Sequence, residues 1–220
     1  MIEAVIFDMD GVLVDSEPLQ FEAYAEILAG YGKTLTREDF IENWIGQGRL
    51  AEHLRRYEIE VPLDEVRQAK NELYMKFVRD RMKLRPGIEG LVRRLSREMP
   101  VALASSAHPD SVNAVLERFE LRPFFTVVLT SADVSNNKPD PEIYQRASEM
   151  LGVPPVGCLV FEDSKPGVLS AKRAGMMVIA LPHDFTLHQD LSAADLVICD
   201  LRNLRLRLGR RRYPRDGEEG

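Results

Sequence analysis

The sequence has few cysteines and no long apolar run. Cys158 and Cys199 are the two cysteines among 220 residues, and each lies in an apolar, strand-like segment. We therefore expect two reduced core thiols of a cytosolic protein rather than a disulfide or a metal pair. No apolar run approaches the ~20 residues that a helix needs to span a bilayer, and no basic, apolar leader precedes the first strand. These absences predict a soluble, cytoplasmic protein.

An excess of positive charge is also missing. The formal net charge is -6 and the sequence pI is near 5.4, whereas a nucleic acid or an anionic membrane would favour a basic face. We expect neither partner. The segment from Arg202 to Gly220 carries seven arginines and then an acidic end, and we interpret 209–220 as a disordered tail rather than a binding arm. We expect a monomer.

The second half of the chain alternates helical and strand patterns. Apolar residues make up 45% of the sequence, which is ample for a packed core. Alternation of this kind predicts right-handed βαβ units and an α/β fold with a Rossmann-like, doubly wound parallel sheet. The predicted strands cover 4–7, 101–105, 125–130, 158–161, 177–181 and 196–199, and the helices between them cover 88–97, 110–119, 141–151 and 166–174.

Between the first strand and Pro86 the apolar residues follow helical spacing instead. Ser16 and Thr36 are plausible N-caps, and the pattern predicts helices over 17–30, 37–44, 49–57 and 64–81. We therefore predict an inserted α-helical cap domain at 16–83 within a catalytic core formed by 1–15 and 84–208.

Two carboxylates stand where the first apolar strand ends. Asp8 and Asp10 point to the same side, because side chains alternate along an extended chain. Like charges this close repel unless a cation or a proton joins them, and Mg²⁺ prefers carboxylate oxygens. In a parallel doubly wound sheet the ligand crevice lies at the carboxyl ends of the strands. Ser105 and Asp163 follow two other predicted strands, so the sequence predicts a metal-assisted site at this edge.

Four segments together resemble one enzyme family. They are Phe7-Asp8-Met9-Asp10-Gly11, Ala104-Ser105-Ser106, Asn137-Lys138-Pro139-Asp140-Pro141-Glu142 and Phe161-Glu162-Asp163-Ser164-Lys165-Pro166-Gly167. The chain resembles the haloacid dehalogenase-like hydrolases, and within them the subgroup with a helical cap that includes β-phosphoglucomutases and small sugar-phosphate phosphatases. That resemblance implies a Rossmann-like core, Mg²⁺ as the cofactor and a small phosphorylated metabolite as the substrate.

The resemblance also implies a role for each position. Asp8 matches the nucleophile that forms an aspartyl-phosphate, and Asp10 matches the general acid and base. Ser105 and Lys138 match the hydroxyl and the ammonium that hold the phosphate. Ser106 is adjacent to Ser105, and either hydroxyl could face the site.

For the metal, the resemblance implies ligation by Asp8, the main-chain carbonyl of Asp10 and Asp163. Glu162 is expected in the metal's coordination shell or next to it. Asp15 is either a further acidic site residue or a capping or hinge residue at the junction with the cap.

The cap residues decide between two reactions. Gly46, Arg49 and Lys70 match the residues that grip a second phosphate in β-phosphoglucomutases. β-Phosphoglucomutases also have a histidine soon after the first motif that helps to grip this phosphate. Gln20 stands at that position here, and glutamine can hydrogen-bond but cannot carry charge. We therefore favour a phosphomonoester phosphatase over a phosphomutase.

A phospho-accepting signalling domain is a third interpretation. It also combines a strand-end Asp, a hydroxyl, a Lys and Mg²⁺, but Asp10 and the helical insert argue against it, because such a domain has no leaving alcohol to protonate. The histidines show no mutual ligand spacing, so we expect surface roles for them, with a possible substrate contact for His108. They are His53, His108, His183 and His188.

Overall fold

A six-stranded parallel sheet forms the centre of the molecule. The computed structural model describes residues 1–45, 50–201 and 204. The strands lie in the order β3-β2-β1-β4-β5-β6, and every neighbouring pair is parallel. This confirms the predicted doubly wound α/β fold. The strands are β1 Ala4–Phe7, β2 Val101–Ala104, β3 Val127–Leu129, β4 Cys158–Glu162, β5 Met177–Ala180 and β6 Leu196–Val197.

Helices occupy the connections between the strands. Four of them lie between β1 and the helix that leads into β2, where the helical spacing predicted an insert. The helices of this insert are α1 Glu17–Gly30, α2 Arg37–Asn43, α3 Leu50–Arg56 and α4 Leu63–Asp80. The remaining helices are α5 Ile88–Leu95, α6 Pro109–Arg118, α7 Glu142–Leu151 and α8 Lys165–Arg173.

The two faces of the sheet are buried under different groups of helices. Val5 and Phe7 of β1 belong to one apolar cluster, which includes side chains of α4, α5 and α6. Ala4 and Ile6 belong to a second cluster, which includes side chains of α7 and α8. Alternate side chains of a strand point to opposite faces. A strand buried on both faces must therefore be apolar throughout, as the run that ends at Phe7 is.

The outer strands are shorter than predicted. β3 begins at Val127 rather than 125, because a 3₁₀ turn at Arg122–Phe124 occupies the approach to the strand. β6 ends at Val197, and both of its residues are exposed. The prediction of a core thiol is therefore wrong for Cys199, which is exposed beyond this edge strand, whereas Cys158 is buried.

The insert has an apolar cluster of its own. Leu28, Phe40 and Trp44 lie in it with Val66 of α4. Farther along α4, Tyr74, Phe77 and Val78 belong instead to the cluster on the sheet. α4 therefore packs at one end within the insert and at the other against the core.

The chain enters and leaves the insert through two adjacent segments. The Asp15 amide donates to the Lys83 carbonyl at 3.0 Å, and the Arg85 amide donates to the Leu13 carbonyl at 2.9 Å. Val14 and Leu84 form an antiparallel bridge between them. Asp15 contributes its backbone to this pairing, while its side chain is exposed. The predicted tail at 209–220 lies outside the described residues.

Within the part of the chain that the structure describes, no helix combines the length and the apolar character needed to cross a bilayer.

The start of α8 lies unusually close to the end of β4. A Cβ atom built on Gly167 would lie 1.8 Å from Glu162 Oε1 and 2.2 Å from Oε2. Gly90, at an exposed position of α5, is the opposite case. Among the described residues, nothing beyond its own helix backbone and chain neighbours lies within 4 Å of a Cβ built there.

We expect Gly167→Ala to lower the free energy of unfolding by about 1–3 kcal/mol, because the methyl group would displace a buried carboxylate. Gly90→Ala is the matched control and should raise it by about 0.5–1 kcal/mol through helix propensity. Urea unfolding of both variants measures the difference, and equal effects would contradict the close approach at Gly167.

Candidate active site

The predicted site residues converge at the carboxyl edge of the sheet. The Asp8 amide donates to the Phe161 carbonyl at 3.0 Å, so β1 delivers Asp8 directly beside the end of β4. Ser105 follows β2 in the same way, with its amide 3.0 Å from the Leu129 carbonyl. Glu162 is the last residue of β4. This is the edge at which a doubly wound sheet places its ligand.

Lys138 holds two of these carboxylates together. Its Nζ lies 2.6 Å from Asp8 Oδ1, 2.7 Å from Glu162 Oε1 and 3.0 Å from the Ala104 carbonyl. An ammonium group has three N–H donors, and these three acceptors satisfy all of them. The Lys138 side chain is 8% exposed, so the ion pairs are shielded from water and hold Lys138 in a fixed position.

Glu162 is held from several directions. Besides Lys138, Oε1 accepts from the Tyr144 hydroxyl at 2.7 Å. Oε2 accepts from the Asp163 amide at 3.0 Å and from the Ser164 amide and hydroxyl at 3.3 and 3.1 Å. Donors from the protein itself thus occupy both oxygens of this carboxylate. Glu162 therefore acts as an anchor for Lys138 and for the start of α8.

The charges at this edge do not balance. Burial raises the pKa of Asp8 well above its ordinary value, against the opposing effect of Lys138. Burial likewise raises the pKa of Asp163, and the Glu162 charge adds to this. For Glu162, Lys138 and the other donors outweigh burial and lower the pKa. One ammonium thus faces three buried carboxyl groups, those of Asp8, Glu162 and Asp163.

Such a donor set fits a cation. Carboxylate oxygens of Asp8, Glu162 and Asp163 all lie within 4.8 Å of one another. Hard cations such as Mg²⁺ take oxygen ligands of this kind, and a bound cation would relieve the repulsion that raises the two pKa values.

A cavity of about 370 Å³ opens above this edge. Ser106 is in its wall, whereas Ser105 is fully buried and its Oγ accepts from the Ala107 amide at 3.1 Å. The insert contributes Glu17, Trp44 and Ile45 to the wall. The core contributes Asp8, Asp10, Ser106, Asn137, Lys138, Glu162, Asp163, Ser164 and Pro166.

The other predicted substrate contacts come from the insert. Lys70 lies with its Nζ 4.4 Å from the ring centre of Tyr74, and the Tyr74 hydroxyl lies 3.4 Å from Asp10 Oδ1. Burial lowers the pKa of Lys70, while the charge of Asp10 opposes this. Gln20 is half-buried on α1 and is not among the described residues that line the cavity. Gly46 and Arg49 lie outside the described residues.

Sequence reasoning missed two site residues, Glu17 and His183. Glu17 is buried in the first turn of α1. Acidic residues are common at helix starts, so its position in the sequence does not indicate a site residue. His183 Nε2 lies 2.9 Å from Asp163 Oδ2. The expectation of surface histidines is therefore wrong for His183, and also for His53, which is buried and stacks on Trp44. His183 follows β5, so the carboxyl-end rule applied to this strand would have found it.

Comparison with known proteins identifies the family. The family described as "Haloacid dehalogenase-like hydrolase" matches residues 5–181. The chain belongs to the haloacid dehalogenase-like hydrolases. Among related hydrolases, the "Phosphorylated carbohydrates phosphatase" of Thermotoga maritima is 40% identical over 179 residues, which cover 80% of this chain and 82% of that protein. The resemblance and the enzyme class predicted from the sequence are thus confirmed.

Solved structures of this hydrolase family have the same fold. A mutant of CbbY from Rhodobacter sphaeroides, in complex with xylulose-(1,5)bisphosphate, superposes with a TM-score of 0.85 at 31% identity and covers 93% of this chain and 96% of its own. A putative β-phosphoglucomutase from Thermotoga maritima gives a TM-score of 0.73 at 36% identity, and the match covers 90% of this chain and 94% of the mutase chain. The family thus includes chains named for both of the reactions that the sequence left open.

The buried ion pairs of Lys138 predict a stability effect. In Lys138→Met, two buried carboxylates lose their counter-charge, and we expect the free energy of unfolding at pH 7 to fall by about 3–5 kcal/mol. Without the ammonium the pKa values of both carboxyl groups would rise in the folded state, so the deficit in the free energy of unfolding should shrink as the pH falls toward ~4 and the groups become protonated. Urea unfolding across this pH range, without added metal, is the measurement.

Lys172→Met is the matched control. Lys172 pairs with Asp195 at 2.8 Å, but the two side chains are 33% and 40% exposed, so its loss should cost about 0–1 kcal/mol. Similar losses in the two variants would contradict the role of Lys138.

Proposed function

We propose that this hydrolase is a Mg²⁺-dependent phosphatase that removes phosphate from a small phosphomonoester, a sugar phosphate, through an aspartyl-phosphate on Asp8. The observation that carries the proposal is the position of Asp8. It lies at the sheet edge beside Lys138 and Asp163 and faces a cavity that also contains Asp10.

In the first step Asp8 attacks phosphorus while the bond to the leaving oxygen breaks. Asp10 donates a proton to that oxygen, so the alcohol departs neutral. In the second step Asp10 takes a proton from water, the water oxygen attacks phosphorus, and the bond to Asp8 breaks. Inorganic phosphate leaves, and both aspartates return to their starting state. This division replaces one difficult displacement by two easier ones.

Negative charge on the transferring group is met by groups fixed beforehand. Lys138 is held by Glu162 and by the Ala104 carbonyl, so it stays in place while its contact with Asp8 changes. Ser106 lies in the cavity wall, and its hydroxyl would hydrogen-bond a phosphoryl oxygen. The Ser105 hydroxyl accepts from Ala107 and keeps its own proton for donation.

Asp8 and Asp163, with the main-chain carbonyl of Asp10, would hold Mg²⁺, and Glu162 would stand beside the shell rather than in it. When bound, the ion would neutralise charge on phosphoryl oxygens during transfer. The number of donors already bound to Glu162 supports this division of roles.

The cavity and the relatives support a sugar phosphate. A volume of about 370 Å³ is within the range of small-ligand sites, and the named substrate class of one relative is phosphorylated carbohydrates. The alternative is a β-phosphoglucomutase-type phosphomutase, and Gln20 is the residue that argues against it. We also propose the division into a core at 1–15 and 84–208 and a cap at 16–83, with a monomeric, cytoplasmic protein.

We expect Asp8→Asn to abolish turnover of sugar phosphates, because the amide keeps the shape of the side chain but loses the attacking charge. Release of inorganic phosphate is measured with Mg²⁺ present. Asp110→Asn is the matched control, since its side chain is 80% exposed, and it should retain full activity.

Chelation followed by dialysis should stop the wild-type enzyme, and added Mg²⁺ should restore it. Turnover by Asp8→Asn, or undiminished wild-type turnover in excess chelator, would contradict the proposed mechanism.

The choice between phosphatase and mutase has its own test. A mutase must keep its aspartyl-phosphate from water until a sugar accepts the phosphoryl group, and an uncharged Gln20 weakens the grip on a second phosphate. With β-glucose 1-phosphate, Mg²⁺ and a trace of the 1,6-bisphosphate, we expect phosphate to form faster than glucose 6-phosphate. Efficient isomerisation with little phosphate release would favour the mutase.

A further inference from the structure

The loop that follows β5 touches both the acidic site and the insert. His183 lies with Nε2 2.9 Å from Asp163 Oδ2. Two residues later, Phe185 is buried in the apolar cluster of the insert. We call the segment from His183 to Phe185 the β5 clasp. It belongs to the core by sequence, yet it reaches both a carboxylate of the acidic site and the interior of the insert.

Hydrogen bonds within the clasp assign the protonation of the imidazole. The Phe185 amide donates to His183 Nδ1 at 3.3 Å, so Nδ1 is an acceptor. An imidazole whose Nδ1 accepts a hydrogen bond carries its ring proton on Nε2. Nε2 therefore donates to Asp163 Oδ2.

The imidazole cannot move away from Asp163 without moving the loop. Thr186 Oγ1 accepts from the His183 amide at 3.1 Å, and the Thr186 amide donates to the His183 carbonyl at 2.7 Å. On the other side, a Cβ on Gly11 would lie 2.7 Å from His183 Nε2 and 2.3 Å from Asp163 Oδ2. The turn after β1 therefore packs directly on this pair of side chains.

Phe185 fixes the other end of the clasp. It is 6% exposed, its ring meets Phe40 edge-on with the centres 6.1 Å apart, and the Arg37 guanidinium lies 4.6 Å from its ring centre. Both neighbours belong to α2. Glu17 of α1 also faces the imidazole, with Oε2 3.8 Å from Nε2. Any shift of the insert relative to the core must therefore displace the clasp or break these contacts.

We propose that His183 is a positioning residue for Asp163 and that Phe185 makes its position depend on how the insert is seated. The insert thereby influences the affinity of the site for a divalent cation. The inference rests on the proposed function, since it needs Asp163 as a metal ligand. Groups that orient metal ligands typically contribute 10–100-fold to metal affinity.

The test measures binding of Mn²⁺ alone to the full chain, without substrate, from the electron paramagnetic resonance signal of free Mn²⁺. His183→Leu removes the donor, and we expect Mn²⁺ to bind about 10–100-fold more weakly. His183→Gln places an amide N–H at a similar reach and should recover most of the loss. Unchanged affinity in a folded His183→Leu would overturn the role of His183, as would an equal loss in His183→Gln.

Phe185→Ala tests the link to the insert and should weaken Mn²⁺ binding about 3–10-fold, which is less than loss of the donor itself. Ile59→Ala is the matched control, because Ile59 is likewise 6% exposed and lies in the same cluster, but is not part of the clasp. It should lose stability yet bind Mn²⁺ within about twofold of wild type. Equal weakening in both variants would overturn the link, and Phe185→Leu provides a milder variant should Phe185→Ala not fold.

The two proposals fail in different ways. Wild-type protein that neither binds Mn²⁺ nor hydrolyses phosphomonoesters would overturn both. Wild-type protein that does both, with clasp variants of unchanged affinity, would overturn the clasp alone.

Discussion

The sharing of one ammonium among buried carboxylates constrains the whole sheet edge. An uncompensated carboxylate in a protein interior costs several kcal/mol, and Lys138 meets that requirement for Asp8 and Glu162 at once. Its distances of 2.6 and 2.7 Å fix the spacing between the ends of β1 and β4. The loop before α7 must then stay where it delivers Lys138, and Tyr144 of α7 adds a second contact to the same carboxylate.

Absent side chains matter as much as the charged ones. Gly11 and Gly167 stand where a methyl group would collide with Asp163 and Glu162, respectively. Gly11 also has φ 71°, a backbone conformation that other residues rarely adopt. Because backbone packs directly against these carboxylates, their rotamers are fixed before any ligand arrives. Such fixed polar groups need little reorganisation during a reaction.

The sequence predicted the parts of the site that follow local rules. Apolar runs that end in Asp8 and Asp163 identify strand ends, and strand ends of a parallel sheet meet at one edge. It could not decide between Ser105 and Ser106, because a shift of one residue at a strand end reverses which side chain faces the crevice. For Cys199, the apolar sequence around it did not reveal that β6 is an exposed edge strand.

The link between His183 and the insert depends on packing that local patterns do not encode. Its loop has no motif, and its importance arises because Phe185 is taken into a cluster formed by residues more than a hundred positions earlier. Likewise, the burial of Glu17 reflects where the insert rests on the core, whereas its position in the sequence suggests an ordinary helix start. Contacts of this kind require the tertiary structure.

The paired segments around Val14 and Leu84 have a topological consequence. The chain leaves the core at Val14 and returns directly beside it at Leu84. For the sheet, the whole insert therefore connects two adjacent points, as a short hairpin loop would. The entropy of closing a loop grows only with the logarithm of its length. A longer, shorter or differently folded insertion at this place would therefore change little in the folding energetics of the core. Variation there can alter what the enzyme binds while the strand ends that carry the chemistry remain as they are.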